Sequence, residues 1–442
     1  MTRVNESIRL LRSLLAPAYL TYQAKRADLG HRRRSFDAPH LTATGPNHVL
    51  VLVIDALRPD CAPDLPLSFG SAITPGTWTF PSVTSMHTGL YPSEHGSHVR
   101  SADGTYLIPE QATDVDLLPV TLEQSGYSTF FASDFTIPLL AAGGWYQRHH
   151  ASANTGAQHV VDRYRSWRQH RDKTFAYLHF SDLHEPLDPP SEYLGEQVDT
   201  TIDGLSTWNY DYWDAYDEDD PACLRYRENR LELYRACLAH VEAQLSPLLD
   251  EILEDTFLIV TGDHGELHWE HHEIDKQFSD SRPAYSVGHG GTPYDMLARV
   301  PAAAHHPDHG SIVPSGGWAS LRDIPNTILR AFGHDGPFPG VAWQDEIPDD
   351  RAVVCESCRH GTERKAVYRG TEKIIHSRED NVLLHSTVDP ATPGETPARA
   401  DQANVEELLA VIDEEWSAGE NSNSGQMPGR MIKDRLEALG YK

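Results

Sequence analysis

Lysine, cysteine and long apolar runs are all scarce in this chain of 442 residues. Seven of its 37 basic residues are lysine, against 65 acidic residues and a formal charge of −28. So few cations make a poor surface for a nucleic-acid backbone, whose phosphates are bound by basic side chains. Such a surface also repels itself unless salt screens it. The composition therefore predicts a protein adapted to high salt, of the kind made by a halophilic archaeon. Five cysteines are too few for a disulfide framework. Cys355 and Cys358 form a single C-x-x-C pair without a second pair at metal spacing, and read as two small reduced residues. No run of about 20 apolar residues is present, so no transmembrane helix is expected. Near the start, Leu10, Leu11, Leu14 and Leu15 are interrupted by Arg9 and Arg12, unlike the unbroken apolar core of a secretory signal. Residues 1–44 read as a short amphipathic helix followed by a basic patch at Arg32, Arg33 and Arg34. Packing on the protein's own surface is expected, with weak membrane-surface docking as the alternative, and the location expected is cytoplasmic.

What is present is a series of buried strands. Residues 48–54 (H-V-L-V-L-V-I), 174–180 (T-F-A-Y-L-H-F) and 256–261 (T-F-L-I-V-T) are short apolar runs of the kind covered on both faces of a sheet. Between the last two, Leu231, Tyr234, Leu238, Val241, Leu245, Leu249 and Ile252 recur at helical spacing. Strands alternating with helices predict an α/β domain over 45–345, with a mostly parallel central sheet and helices on both faces. Residues 187–221 are a Pro-rich, acidic and aromatic insertion with Trp208, Tyr210, Tyr212, Trp213 and Tyr216, which reads equally as a substrate wall or as a loop packing its own aromatics. After 345, short strand signals (A-V-V-C-E, K-A-V-Y-R, E-K-I-I-H, N-V-L-L-H) predict a small antiparallel α+β subdomain over 346–442. It would carry a helix near 403–416, a Gly/Ser/Asn-rich stretch over 417–428 and a closing helix.

Each main strand runs into an aspartate: Asp55, Asp182 and Asp263. Sites in open parallel sheets form beyond the carboxyl ends of the strands. Carboxylates delivered to one sheet edge repel one another unless a cation sits among them. The third strand continues T-G-D-H-G-E, so Asp263 and His264 add a hard oxygen and an imidazole. Separately, T-F-P-S-V-T-S-M-H-T-G reads as a helix start, with Thr79 as N-cap, Pro81 in the first turn and Gly89 as the stop. A hydroxyl there faces free N–H groups and the positive end of a helix dipole, which suits attack on an anionic ester.

The stretch from Thr79 to Gly96 resembles the signature of the sulfatase family within the alkaline phosphatase superfamily, whose pattern is C/S-x-P-S-R followed by a Leu-Thr-Gly-x-Tyr-Pro-x-x-His-Gly run. Thr88, Gly89, Tyr91, Pro92, His95 and Gly96 match the run. Two positions depart from the pattern. Thr79 stands where sulfatases carry the residue that becomes formylglycine, and Val83 stands where they carry Arg. Asp55 resembles the first metal motif and Asp263-His264 the second. The likeness continues through Asp182-Leu183-His184-Glu185-Pro186, Glu270-His271, His289-Gly290, Tyr294-Asp295 and Arg299-Val300-Pro301, and covers about residues 46–442.

The resemblance implies an alkaline-phosphatase-like fold. It also implies a divalent metal (Ca, Mg, Mn or Zn) held by Asp55, Thr79, Asp263 and His264. Asp182 is either a ligand of a second metal, an orienting group for His184, or a turn cap. His184 and His289 fall where the family holds ester oxygens or protonates the leaving group. His271 reads as support for the site or as a surface His, and Arg58 as a contact to the leaving oxygens or a partner of an acid, while Tyr294, Asp295 and Arg299 read as structural. A Thr ester cannot expel sulfate by regenerating an aldehyde, so Thr79 favours phosphate mono- or diesters over sulfate esters. The leading expectation is a metal-dependent ester hydrolase acting on a small anionic ester, lipid or glycan. The alternatives are a phospho- or sulfotransferase working on envelope lipids or glycans, and an inactive binding protein that kept the fold.

Overall fold

The computed structural model describes residues 2–36, 45–100, 107–153, 155–207, 216–282, 285–399 and 402–412, with side chains from residue 17 onward except at 402. The chain up to the C-terminal sheet forms β1 (His48–Ile54), β2 (Gly70–Ile73), β3 (Ser128–Ser133), β4 (Arg148–Ala151), β5 (Thr174–Phe180), β6 (Thr256–Gly262), β7 (Leu267–His268), β8 (Val287–Gly288), β9 (Arg299–His306), β10 (Gly310–Ile312) and β11 (Ala319–Ser320). All but β7 and β8 join one sheet in the order β11-β2-β9-β6-β1-β5-β3-β4, with β10 on β9. The run β6-β1-β5-β3-β4 is parallel throughout, and β9 runs against both β6 and β2. The three expected strands are its centre.

Alternation along these strands builds two apolar layers. Val49, Val51, Val53, Phe175, Tyr177, Phe257 and Ile259 face one layer, with Phe80, Val83 and Met86 of the helix Thr79–Thr88. Leu50, Leu52, Ile54, Ala176, Leu178, Phe180, Leu258 and Val260 face the other. There they meet Val160 and Tyr164 of the helix Ala157–Arg168, and Val241, Leu245 and Leu249 of the helix Pro221–Ile252. A strand buried on both faces has apolar residues at every position, which is why these runs show no polar alternation. The helix Pro221–Ile252 starts ten residues before its apolar periodicity begins, because Pro221 occupies its first turn and the Asp220 side chain accepts from Ala222 N at 2.8 Å.

A second sheet follows, of β12 (Val353–Ser357), β13 (Arg364–Arg369), β14 (Glu372–Ser377), β15 (Val382–Asp389) and β16 (Thr392–Pro397), all antiparallel in chain order. Cys355, Ala366, Tyr368 and Ile375 pack against Leu267, Tyr294, Leu297 and Trp318 of the larger unit. Val354, Val367 and Ile374 pack against Val405 and Leu408 of the helix Gln402–Leu409. Four of the five strands match the expected runs. The fifth, T-P-G-E-T-P, carries proline and glycine that argue against a strand; it is tolerated because it pairs on one side only. Cys355 and Cys358 are buried and unbridged.

The N-terminal helix, Thr2–Arg33, lies on the β4 edge of the large sheet. Asp28 accepts from His149 N at 2.8 Å, and His31 Nε2 lies 2.8 Å from Glu123. Leu20 and Ala24 are buried, while Arg32, Arg33 and Arg34 are exposed. The leucines at 10, 11, 14 and 15 lie outside the residues whose side chains are described. Among the described residues no helix is long and apolar enough to cross a membrane. Within the insertion, Leu187, Leu205 and Tyr216 are buried, and Tyr216 stacks on Trp269 with ring centroids 4.8 Å apart. Trp208, Tyr210, Tyr212 and Trp213, the stretch 417–428 and the closing helix lie outside the described residues.

Candidate active site

Strand register builds the site. Ile54 pairs with Gly262 across β1 and β6, so Asp55 and Asp263 leave the sheet side by side. Both have the parity of Val53 and Thr261 and emerge on the face covered by the Thr79 helix. Thr79 is the first residue of that helix rather than its cap, a shift of one position from the expected boundary. Trp78 holds the cap position without a side-chain cap bond, and Gly89 ends the helix at φ 70°. The Thr79 hydroxyl is thereby released from capping. It donates to Asp55 Oδ2 at 3.4 Å and lies 3.3 Å from His264 Nε2.

His264 Nδ1 is 2.8 Å from the carbonyl oxygen of Gly265. A carbonyl only accepts, so Nδ1 carries the hydrogen and the Nε2 lone pair faces the site, 3.5 Å from Asp55 Oδ1 and 3.5 Å from Asp263 Oδ2. Gly265 makes this turn because a Cβ there would sit 2.0 Å from the backbone oxygen of Met296. Asp55, Asp263 and His264 are fully buried and Thr79 nearly so.

The fifth member of the cluster, His179, was not anticipated from the sequence. It pairs in register with Val53 on β5, so it faces the same side as Asp55. Its Nε2 is 3.1 Å from Asp55 Oδ2 and 3.8 Å from Asp263 Oδ2, and its Nδ1 is 3.0 Å from the Tyr177 hydroxyl. A polar residue inside the run T-F-A-Y-L-H-F, in step with Val53, was the available signal. Asp182, two residues past the strand end at Phe180, takes the parity of Phe180 and so the opposite one. It leaves on the other face, where its Oδ1 accepts from Ala157 N at 3.4 Å and lies 3.9 Å from His240 Nδ1. Burial and the charge of Asp182 push neighbouring Asp134 up to about 7.

Charge in the cluster is unevenly shared. Burial works to raise the Asp55 carboxyl, but the hydrogen bond from His179 and the nearby His264 hold it down at about 2. Burial raises Asp263, and the charge of Asp55 adds to it. Burial works to lower His179, but its bond to Asp55 and the charge of Asp263 raise it. Two carboxylate oxygens, Asp55 Oδ1 and Asp263 Oδ2, are buried without a hydrogen-bond donor. Buried carboxylates left unmatched cost several kcal/mol. Asp55, Asp263 and His179 offer ligand atoms within 4.8 Å of one another. Hard oxygens joined by imidazole nitrogen suit a divalent cation, so the residues present fit a metal among Asp55, Asp263, His264, Thr79 and His179.

The outer wall is histidine-rich. The His289 ring lies 4.6 Å from that of His264 and 5.2 Å from that of His184. His289 Nδ1 is 2.9 Å from Glu266 Oε2, and His184 Nδ1 is bonded to the carbonyl of Glu185 at 2.9 Å. Burial lowers His289 and raises Glu266. Val83 is buried in the apolar layer and brings no cation to the site. Arg58 and His271 are held elsewhere. Arg58 donates to Asp60, Glu270 and the Glu266 carbonyl, tying the loops after β1 and β6 together. His271 stacks on Tyr294 at 4.2 Å. Asp295 and Arg299 pair with each other at 3.1 Å, and Arg299 reaches the Asp389 carbonyl at 2.7 Å.

His179→Asn is expected to lower divalent-metal affinity by about 10- to 100-fold, the usual effect of removing a partner that orients a ligand. Calorimetric titration of the metal-stripped protein checks this; unchanged affinity would place His179 outside the centre.

No curated protein matches the chain. Solved structures with the same fold include a phosphonate monoester hydrolase from Silicibacter pomeroyi (16% identity, 89% of this chain and 96% of that one, TM-score 0.55). A second is the phosphonate monoester hydrolase of Agrobacterium radiobacter (14%, 89% and 96%, 0.54). A third is a protein in complex with its substrate D-glucosamine-2-N,6-O-disulfate (13%, 90% and 98%, 0.57). The family profile described as Sulfatase matches residues 60–334. That span covers more than half of the chain, and the protein belongs to the sulfatase family and is a sulfatase-like ester hydrolase.

Proposed function

We propose that the protein hydrolyses an anionic phosphate, phosphonate or sulfate ester, with Thr79 as nucleophile and a covalent Thr ester as intermediate. The observation that carries this is the placement of the Thr79 hydroxyl at a helix N-terminus, 3.4 Å from Asp55 Oδ2 and 3.3 Å from His264 Nε2. A divalent ion bound by Asp55, Asp263, His264 and Thr79 would lower the pKa of the hydroxyl and draw charge from the ester oxygens. Asp55 accepts the hydrogen bond from Thr79 and so orients its attacking lone pair. Backbone N–H groups of the first helical turn face the ester oxygens as charge builds on them. His289 or His184 supplies a proton to the departing oxygen. Release of the Thr ester requires attack of water at the central atom. Such attack proceeds readily at phosphorus, so Thr79 favours phosphoryl or phosphonyl groups over sulfuryl groups.

Chromogenic phosphate monoesters, diesters, phosphonates and sulfates, each tested with Mg, Mn, Ca and Zn, check the reading. Acid quench followed by mass spectrometry of the Thr79 peptide checks the intermediate. Turnover without any Thr79 adduct would refute covalent catalysis.

We also infer that the protein works in high salt. The charge of −28 gives self-repulsion that reaches across a domain at ~0.01 M salt, where the Debye length is ~30 Å, and only between neighbours at ~1 M, where it is ~3 Å. The melting temperature is expected to rise with KCl across that range, with or without chelator. A melting temperature independent of KCl would remove this inference and leave the catalytic one standing.

A further inference from the structure

Glu266 ends the T-G-D-H-G-E segment and has no part in the chemistry described so far. It is buried, 6% exposed, and a short two-stranded ladder fixes its neighbour. Leu267 pairs with Gly288 and His268 with Val287, so one step further Glu266 stands directly across from His289. Its Oε2 meets His289 Nδ1 at 2.9 Å. The ladder is anchored on both sides. Trp269 N donates to Ser286 O at 2.6 Å, and Arg282 Nη1 donates to Val287 O at 3.1 Å and His289 O at 3.2 Å.

We propose that Glu266 is a positioning residue for His289. It holds Nδ1, so that Nε2 is the nitrogen offered to the ester. In the step, the bond between the central atom and the leaving oxygen breaks. The oxygen keeps the electron pair and takes the Nε2 hydrogen. Nδ1 keeps a hydrogen against Glu266 Oε2, so the imidazole is left neutral. When water attacks the Thr ester, Nε2 accepts a proton from it. The ring needs no rotation between the two half-reactions, because the same nitrogen serves both. This rests on the reading of Thr79 as nucleophile and His289 as proton donor.

Leaving-group dependence tests it. A p-nitrophenolate leaves without much help from an acid, whereas a benzyl alkoxide needs the proton. Benzyl and p-nitrophenyl esters of phosphate, phenylphosphonate and sulfate are compared in wild type, Glu266→Gln, Glu266→Asp, His289→Ala and the double variant Glu266→Gln/His289→Ala, with metal content measured in each. Glu266→Gln is expected to lower kcat/KM on the benzyl ester by about 100-fold, at least about tenfold more than on the p-nitrophenyl ester. Glu266→Asp should show a smaller loss with the same selectivity, and the double variant should be no worse than His289→Ala alone. Equal losses on both esters in both Glu266 variants would overturn the inference. If His289→Ala is selective and the Glu266 variants are not, this inference alone fails. If His289→Ala is itself unselective, the reading of His289 as donor fails with it, and a wild type inactive on all these esters refutes both.

Discussion

Thr79→Ala is expected to lower turnover by about a thousandfold or more, the scale for removal of a covalent nucleophile, and to leave the protein folded. The substitution deletes a hydroxyl and a methyl at the first position of a ten-residue helix. Phe80, Val83 and Met86 still fill the apolar layer beneath it, and alanine is a good helix former. The hydroxyl caps nothing, so no backbone group is orphaned. What disappears is the hydroxyl oxygen that lies 3.4 Å from Asp55 Oδ2 and 3.3 Å from His264 Nε2 at the helix N-terminus. Thr79→Ser keeps that atom and should retain much of the rate, at the cost of a freer rotamer. Steady-state kinetics on the preferred ester, a thermal melt and mass spectrometry of the quenched enzyme together check the expectation. Activity of Thr79→Ala within about tenfold of wild type would sink the assignment of the nucleophile.

Asp263→Asn is expected to have two effects of opposite sign. Metal affinity and activity should fall together, because the proposed charged ligand becomes a neutral one; a loss of about 100-fold or more in affinity is expected, at least as large as for an outer partner. The metal-free protein, in contrast, should melt at a higher temperature than metal-free wild type. Burial and the neighbouring Asp55 raise the Asp263 carboxyl above its ordinary value. An acid raised in the folded state costs stability as pH climbs past its unfolded value, and at neutral pH that cost is present. The Asn side chain removes it, while its oxygen can still accept from Ala56 N and His264 N as Oδ1 does at 3.2 and 3.0 Å. Chelation should accordingly destabilise wild type and leave Asp263→Asn nearly unmoved. Elemental analysis and paired melts with and without chelator at pH 7 are the measurement. Full metal occupancy in the variant, or a lower metal-free melting temperature, would contradict this account of the cluster.

Much of the architecture was legible because burial on both faces leaves a strong mark. Seven-residue apolar runs such as His48–Ile54 admit few alternatives, and they proved to be the parallel centre of the sheet. Edge elements were harder to read. β16 carries Pro393, Gly394 and Pro397, a composition that reads as a loop until one knows that a single flank is paired. The helix start at Thr79 was found within one residue, but its cap was not, because a Thr hydroxyl can serve a helix or a site and sequence spacing does not say which.

The chain's own order of residues put Asp55, Asp263 and His264 at strand ends and Thr79 at a helix start, since those are local signals. That the four meet was what the resemblance to the sulfatase family implied, and it depends on strand register and helix placement. Tertiary structure decided the rest. Whether the middle strand contributes Asp182 or His179 depends on pairing Ile54 with Phe180 rather than with a neighbour, and a shift of one residue exchanges the two faces of a strand. Whether Arg58 meets substrate or Asp60 and Glu270, and whether Glu266 meets His289, depends on contacts spanning up to 212 residues of chain. No periodicity in the sequence encodes such contacts, because they are chosen by the packing of whole elements against one another.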